Sequence, residues 1–141
     1  YIIVKSSDLR AINIPQNIIP NCIDELPILA VAMSFAEGIS VISGAEELRH
    51  KETDRIMAIS EMLKGAGVSF EEREDGLEIH GNPEFKFGSA TFKSFHDHRI
   101  AMASAVLSLK GKSESKILDA ECAAVSYPGF WEDLEGISKN E

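Results

Sequence analysis

Two stretches constrain this fold more than anything else in the sequence. Asp24-Glu25-Leu26-Pro27 opens a segment that is apolar from Ile28 to Ala36 except for Ser34. Asp97 opens another that is apolar from Ile100 to Leu109 except for Ser104 and Ser108. A helix without a polar face needs cover on every side. Asp24 stands before Gly38 at the same spacing as Asp97 before Gly111. Each segment is followed by a strand, a Glu (Glu46, Glu121), a polar linker and a second helix. A period of about 73 residues is too long for a solenoid and fits repeated α/β units packed around shared buried helices. With 141 residues the chain barely supplies such cover. It starts without Met, and it is expected to be a piece of a longer protein.

The remaining elements follow from local signals. Tyr1–Val4 and Leu9–Ile14 read as strands, and Pro15 and Pro20 bracket a loop. Asp24 is placed as an N-cap with Pro27 in the first turn, and Gly38 as the stop. Ile39–Ser43 alternates as a strand. A helix from about Glu52 to Lys64 puts Ile56, Ile59 and Leu63 on one face, and Gly65 and Gly67 end it. Val68–Phe70 and Leu77–His80 flank Asp75-Gly76, a hairpin signal. A strand around Ala90–Phe92, a helix from Asp97 to Lys110, a strand at Lys116–Leu118 and a helix from Pro128 to about Ile137 complete the chain. The units run over about residues 9–81 and 90–137. Met33, Met57, Met62 and Met102 fall in helical patterns and read as core.

Composition narrows the partners. Fourteen Lys and Arg against 23 Asp and Glu give a formal charge of -9, which disfavours nucleic acid and anionic membrane surfaces. No apolar run is long enough to span a bilayer. Cys22 and Cys122 are too sparse for a disulfide scaffold and are expected as reduced, buried thiols in a cytoplasmic protein. No signal peptide is present in these residues.

The chemistry-bearing residues sit at two helix starts, Lys51-Glu52-Thr53-Asp54-Arg55 and His96-Asp97-His98-Arg99. Cations there oppose the helix dipole at a cost of roughly 0.3–1 kcal/mol each. A docked phosphate or carboxylate would reverse that sign. The plainer alternative pairs Arg55 with Glu52 and Arg99 with a neighbouring acid; two such starts in a chain with few basic residues favour the anion. His96 and His98 diverge at a strand-to-helix junction with no third ligand at a suggestive spacing, so no metal is expected. The acidic run Glu71–Asp75 reads as a solvated hairpin face. No glycine-rich phosphate loop and no nucleotide cofactor are indicated.

Asp24–Ala32, Lys51-Glu52-Thr53-Asp54-Arg55, Asp97-His98-Arg99-Ile100-Ala101-Met102-Ala103 and Ser126-Tyr127-Pro128-Gly129-Phe130 resemble signatures of the 5-enolpyruvylshikimate-3-phosphate synthase family. The resemblance runs over nearly the whole chain, in family order. It implies an α/β (α+β) fold of repeated βαβαββ units around buried helices. The chain would be the C-terminal part of the C-terminal of two lobes, with the N-terminal lobe absent. It further implies transfer of the enolpyruvyl group of phosphoenolpyruvate to the 5-hydroxyl of shikimate 3-phosphate, releasing phosphate, in aromatic amino acid biosynthesis. Under it, Asp24 is the base at the hydroxyl and Lys51 contacts shikimate 3-phosphate. Glu52 donates the proton, Arg55 and Arg99 clamp phosphoenolpyruvate, and His98 supports the site. A full-length monomer without cofactor is implied, and the piece alone is expected to be inactive. Val125 stands where some members carry Lys, which leaves one cationic contact in doubt. Two other readings are a stand-alone anion-binding module without catalysis and the UDP-sugar enolpyruvyl transferase relative, which lacks these motifs in this arrangement.

Overall fold

The computed structural model describes residues 1–3 and 5–138. A single turn, α1 (Ile19–Cys22), replaces the loop expected around Pro20, whose ring is tolerated in a first turn. Then come α2 (Leu26–Ser34), β1 (Gly38–Ile42), a 3-10 segment (Glu46–His50) and α3 (Arg55–Ala66). They are followed by β2 (Ser69–Arg73), β3 (Gly76–Gly81), β4 (Thr91–Lys93) and α4 (His98–Ser108). β5 (Lys116–Leu118), a second 3-10 segment (Ala120–Val125) and α5 (Phe130–Ser138) end the chain. The architecture is mixed α/β.

An antiparallel sheet of order β1-β3-β2 and a parallel pair β4-β5 are the two sheets. Alternation sets the register of the first: Phe70 faces Ile79 on the inner side and Glu71 faces Glu78 on the outer. The hairpin turns at Asp75-Gly76 as the sequence suggests. Gly76 is required there, because a Cβ would stand 2.0 Å from the Ile42 carbonyl oxygen.

Residues 9–14 carry a strand signal in the sequence, but they make only isolated parallel bridges, Arg10 to Glu37 and Asn13 to Val41. Backbone bonds from Ala11 N to Glu37 O and from Ile14 N to Val41 O hold them beside β1. Around α4 the same arrangement recurs, with Phe87 bridged to Gly111 and β4 paired with β5. Each apolar helix is thus the crossover between two parallel segments, which is why both are largely buried. Residues 1–3 form no strand and are exposed; Val4, the rest of that expected strand, lies outside the described residues.

Leu26, Ala30, Val31, Ile56, Ile59, Leu63, Ile79, Phe92, Ile100 and Leu107 form one continuous core. Cover is not complete, however. Ile28 stands 40% exposed and Ala32 is exposed, so α2 keeps one apolar edge open to solvent. Met33 and Met62 are buried, while Met57 and Met102 are half-buried. Cys22 and Cys122 are free and half-buried rather than buried.

Candidate functional site

Arg55, the first residue of α3, joins the N-terminal ends of three helices. Its Nε donates to Asp97 Oδ2, its Nη1 to Asp24 Oδ1 and its Nη2 to Glu52 Oε2, each at 2.7 Å. The Arg55 side chain is 1% exposed and Asp97 is fully buried. A buried charge persists only when paired and hydrogen-bonded. Burial works against the Arg55 charge, yet the hydrogen bonds to Asp97 and Asp24 outweigh it and hold its pKa above the usual value. In this structure the acceptors on Arg55 are carboxylates of the chain itself, and its pairing with Glu52 is the plainer of the two alternatives given above.

The helix starts differ from expectation in two ways. α3 begins at Arg55, not Glu52, because Asp54 caps it by accepting from Met57 N; Lys51 and Glu52 lie in the bend before it. Asp24 does not cap α2: Glu25 occupies that position without a side-chain bond. The Asp24 carboxylate turns instead to Arg55 and to Arg99, whose Nη2 lies 3.3 Å from Oδ2. The hydrogen bond from Arg55 and, after an opposing cost of burial, the charge of Arg99 hold the Asp24 carboxyl below its ordinary 3.8.

Asp97 is an N-cap, as its sequence position suggests, and its two oxygens divide the work. Oδ1 accepts from Arg99 N and Ile100 N, while Oδ2 takes Arg55. The turn that presents it is strained: Phe95 and His96 lie at φ 55° and 58°, a left-handed region that non-glycine residues avoid. Buried Ser94 supports this turn, its Oγ accepting from His96 N and donating to Asp119 O. His96 is 78% exposed and points toward Asp119. No sequence spacing signalled Ser94 or the Arg55–Asp97 pair, whose partners are joined only by tertiary packing.

Around this hub the outer groups are open. Asp24 is 43% and Glu52 52% exposed. Arg99, 31% exposed, donates from Nη1 to the Asp24 carbonyl and approaches Glu25. Lys51 is exposed and forms no ion pair among the described residues; its charge acts on Asp24. His98 is half-buried at the start of α4. The structure thus brings Asp24, Glu52, Arg55 and Arg99 into one cluster, with Lys51 and His98 at its margin. Beside Asp24 and Arg99 opens an apolar cavity of about 210 Å³ lined by Ile28, Met102, Val106 and Phe130. Val125 is 79% exposed.

Chemically, the cluster offers an ionised, accessible carboxylate between two guanidinium groups, and a second carboxylate with a single contact. Cys122 is unsuited to nucleophilic work, since burial and the nearby carboxylates raise its pKa against a bond with Ser94. Glu71, Glu78 and His80 on the outer hairpin face bring ligand atoms within 4.8 Å of one another, a group visible only from the cross-strand register. Glu78 is already paired with Arg73 and His80.

The sequence profile described as EPSP synthase (3-phosphoshikimate 1-carboxyvinyltransferase) matches residues 1–134. A 3-phosphoshikimate 1-carboxyvinyltransferase of Caldicellulosiruptor bescii is 49% identical over 138 residues, covering 98% of this chain and 32% of the relative. One from Aquifex aeolicus is 51% identical over 127 residues, 90% of this chain and 29% of the relative. The chain therefore spans about a third of the length of the curated relatives it matches. EPSP synthase from Acinetobacter baumannii superposes with a TM-score of 0.83 at 38% identity, over 89% of this chain and 29% of that one. The enolpyruvyl transferase NikO of Streptomyces tendae shares the fold, with a TM-score of 0.69 at 18% identity over 95% of this chain and 29% of its own.

Proposed function

The chain belongs to the EPSP synthase family, and from that premise we propose that it supplies one side of a site moving the enolpyruvyl group of phosphoenolpyruvate to the 5-hydroxyl of shikimate 3-phosphate. Asp24 takes the hydroxyl proton as the oxygen attacks C2 of phosphoenolpyruvate, and Glu52 protonates C3. The resulting tetrahedral adduct then loses phosphate from C2 and returns a methyl proton to the Glu52 carboxylate, which restores the vinyl bond. Arg99 and Arg55 hold the anionic groups of phosphoenolpyruvate, Lys51 meets shikimate 3-phosphate, and His98 lines the site.

One observation supports this reading above the others: Asp24 is gripped by two guanidinium groups and remains open to solvent. That grip orients the carboxylate and also weakens it as a base. An anionic ligand that draws on Arg99 or Arg55 would return basicity to Asp24 at the moment it is needed. The carboxylates of Asp24, Glu25, Glu52 and Asp97 outnumber the cations Lys51, Arg55 and Arg99. Further cations must come from the N-terminal lobe of the complete protein, and the chain alone is expected to be inactive. Cytoplasmic location and a monomeric full-length protein follow from the same resemblance.

The test is a chimera in which this chain replaces the matching third of the Caldicellulosiruptor bescii relative. It should release phosphate from phosphoenolpyruvate only when shikimate 3-phosphate is present. Asp24→Asn should lower kcat by about 10²-fold or more. A folded chimera without this activity, or an unimpaired Asp24→Asn, would reject the assignment.

A further inference from the structure

We propose that an anion reaches Arg55 only by displacing Glu52, and that the displaced carboxylate then takes up a proton, so that ligand docking itself readies the acid. The inference rests on the reading of Glu52 as proton donor and adds the event that converts it from a carboxylate to an acid.

Arg55 is 1% exposed, so its guanidinium offers no free face to solvent. Its three acidic partners are not equally fixed. Asp97 is fully buried and also caps α4. Asp24 is held by Arg99 as well as by Arg55. Glu52 has one contact, to Nη2, is 52% exposed and sits in the bend preceding α3. It is the partner that gives way at least cost. The incoming group must reproduce what leaves: a planar carboxylate or a phosphate oxygen able to accept from a guanidinium.

In the resting state the Glu52 carboxylate is engaged by Arg55 Nη2. Once displaced it loses its cation and faces the bound anion. Asp24 from the segment before α2 and Asp97 at the start of α4 accept from other nitrogens of Arg55, Nη1 and Nε. Lys51 beside it and Arg99 on α4 oppose protonation, but Arg99 is turned to Asp24 and Glu25. An anion next to a carboxylate favours its neutral form. The proton comes from solvent, and binding of the anion strengthens as pH falls.

Isothermal titration calorimetry of the chimera, in which the N-terminal lobe is present, with phosphoenolpyruvate at about pH 8, in two buffers of different ionisation enthalpy, counts the protons. The unmodified chimera should take up a fraction of a proton on binding. Glu52→Gln should take up none and bind about threefold tighter, because the competing carboxylate is gone. An equal proton count in the variant, or weaker binding by it, overturns the inference. Absence of binding to both overturns it too, since Arg55 would then be closed to anions. Phosphate release by the chimera is read separately. Transfer without the proton signature rejects only this inference, and the signature without transfer rejects only the functional reading.

Discussion

The Arg55 Nε donates to the Asp97 carboxylate across 2.7 Å with both side chains shut away from water. That bond ties the first residue of α3 to the cap of α4, forty-two positions apart in the chain. It makes the cluster a fixed inner pair surrounded by exposed groups. Removing one member strands the other as a buried, unpaired charge, which costs about 3–5 kcal/mol. Arg55→Met should lose that much stability in urea unfolding. Asp97→Asn added to Arg55→Met should recover a large part of it, because the amide needs no counter-charge and still accepts at the cap. Additive losses would mean that the pair is not coupled.

The acid limb of stability reports Asp24. Its carboxyl is held below 3.8, chiefly by the hydrogen bond from Arg55. A group with a depressed folded pKa contributes stability that is present above the unfolded value and lost as pH falls through the folded one. Below 3.8 the unmodified chain should therefore lose stability more steeply than Asp24→Asn, and above it the two curves should run parallel. Denaturant midpoints measured across the acid range would show this. Identical slopes for both proteins would mean that Asp24 is not engaged by Arg55 in solution.

Strain in the turn before α4 gives a prediction of opposite sign. His96 holds φ 58° and is 78% exposed, so its side chain contributes little while its backbone is disfavoured. His96→Gly should stabilise the chain by about 0.5–1 kcal/mol, the relief of a left-handed non-glycine residue less the added freedom of the unfolded chain. Thermal unfolding of the variant measures it, and a lower Tm would show that the turn relaxes in solution.

Much of this architecture was legible because hydrophobic period and capping chemistry are local. The Asp97 cap, the Asp75-Gly76 turn and the apolar bodies of α2 and α4 all follow from neighbours within a turn or two. What escaped the sequence lies between elements far apart in the chain. Asp24 looks like a cap in one dimension, and only the fold shows Arg55 and Arg99 drawing its carboxylate away from Leu26 and the rest of α2. Arg55 invites an anion when read beside its own helix, and only in three dimensions do Asp97 and Asp24 reach it from other elements. Residues 9–14 have strand propensity but meet β1 at only a few points, so the ladder never becomes continuous. Ser94 carried no signal at all, since its task is to support a backbone conformation that sequence patterns do not record.

The far end of the same scaffold can be tested through Gly81, which closes β3 opposite Gly38. A Cβ built there would stand 2.2 Å from the Ala36 carbonyl oxygen and 2.3 Å from that of Met33. Both oxygens are backbone, Met33 in the last turn of α2 and Ala36 just beyond it, so no flexible side chain can yield. Gly81→Ala must push β3 away from the helix whose other end presents Asp24, and overpacking of this kind costs about 1–3 kcal/mol. Gly88 is the control, because an added Cβ there meets nothing within 4 Å; Gly88→Ala should change stability by less than about 0.5 kcal/mol. In urea, Gly81→Ala should lower the midpoint with an unchanged slope. Equal midpoints for the two variants would show that β3 does not press against α2 as closely as described.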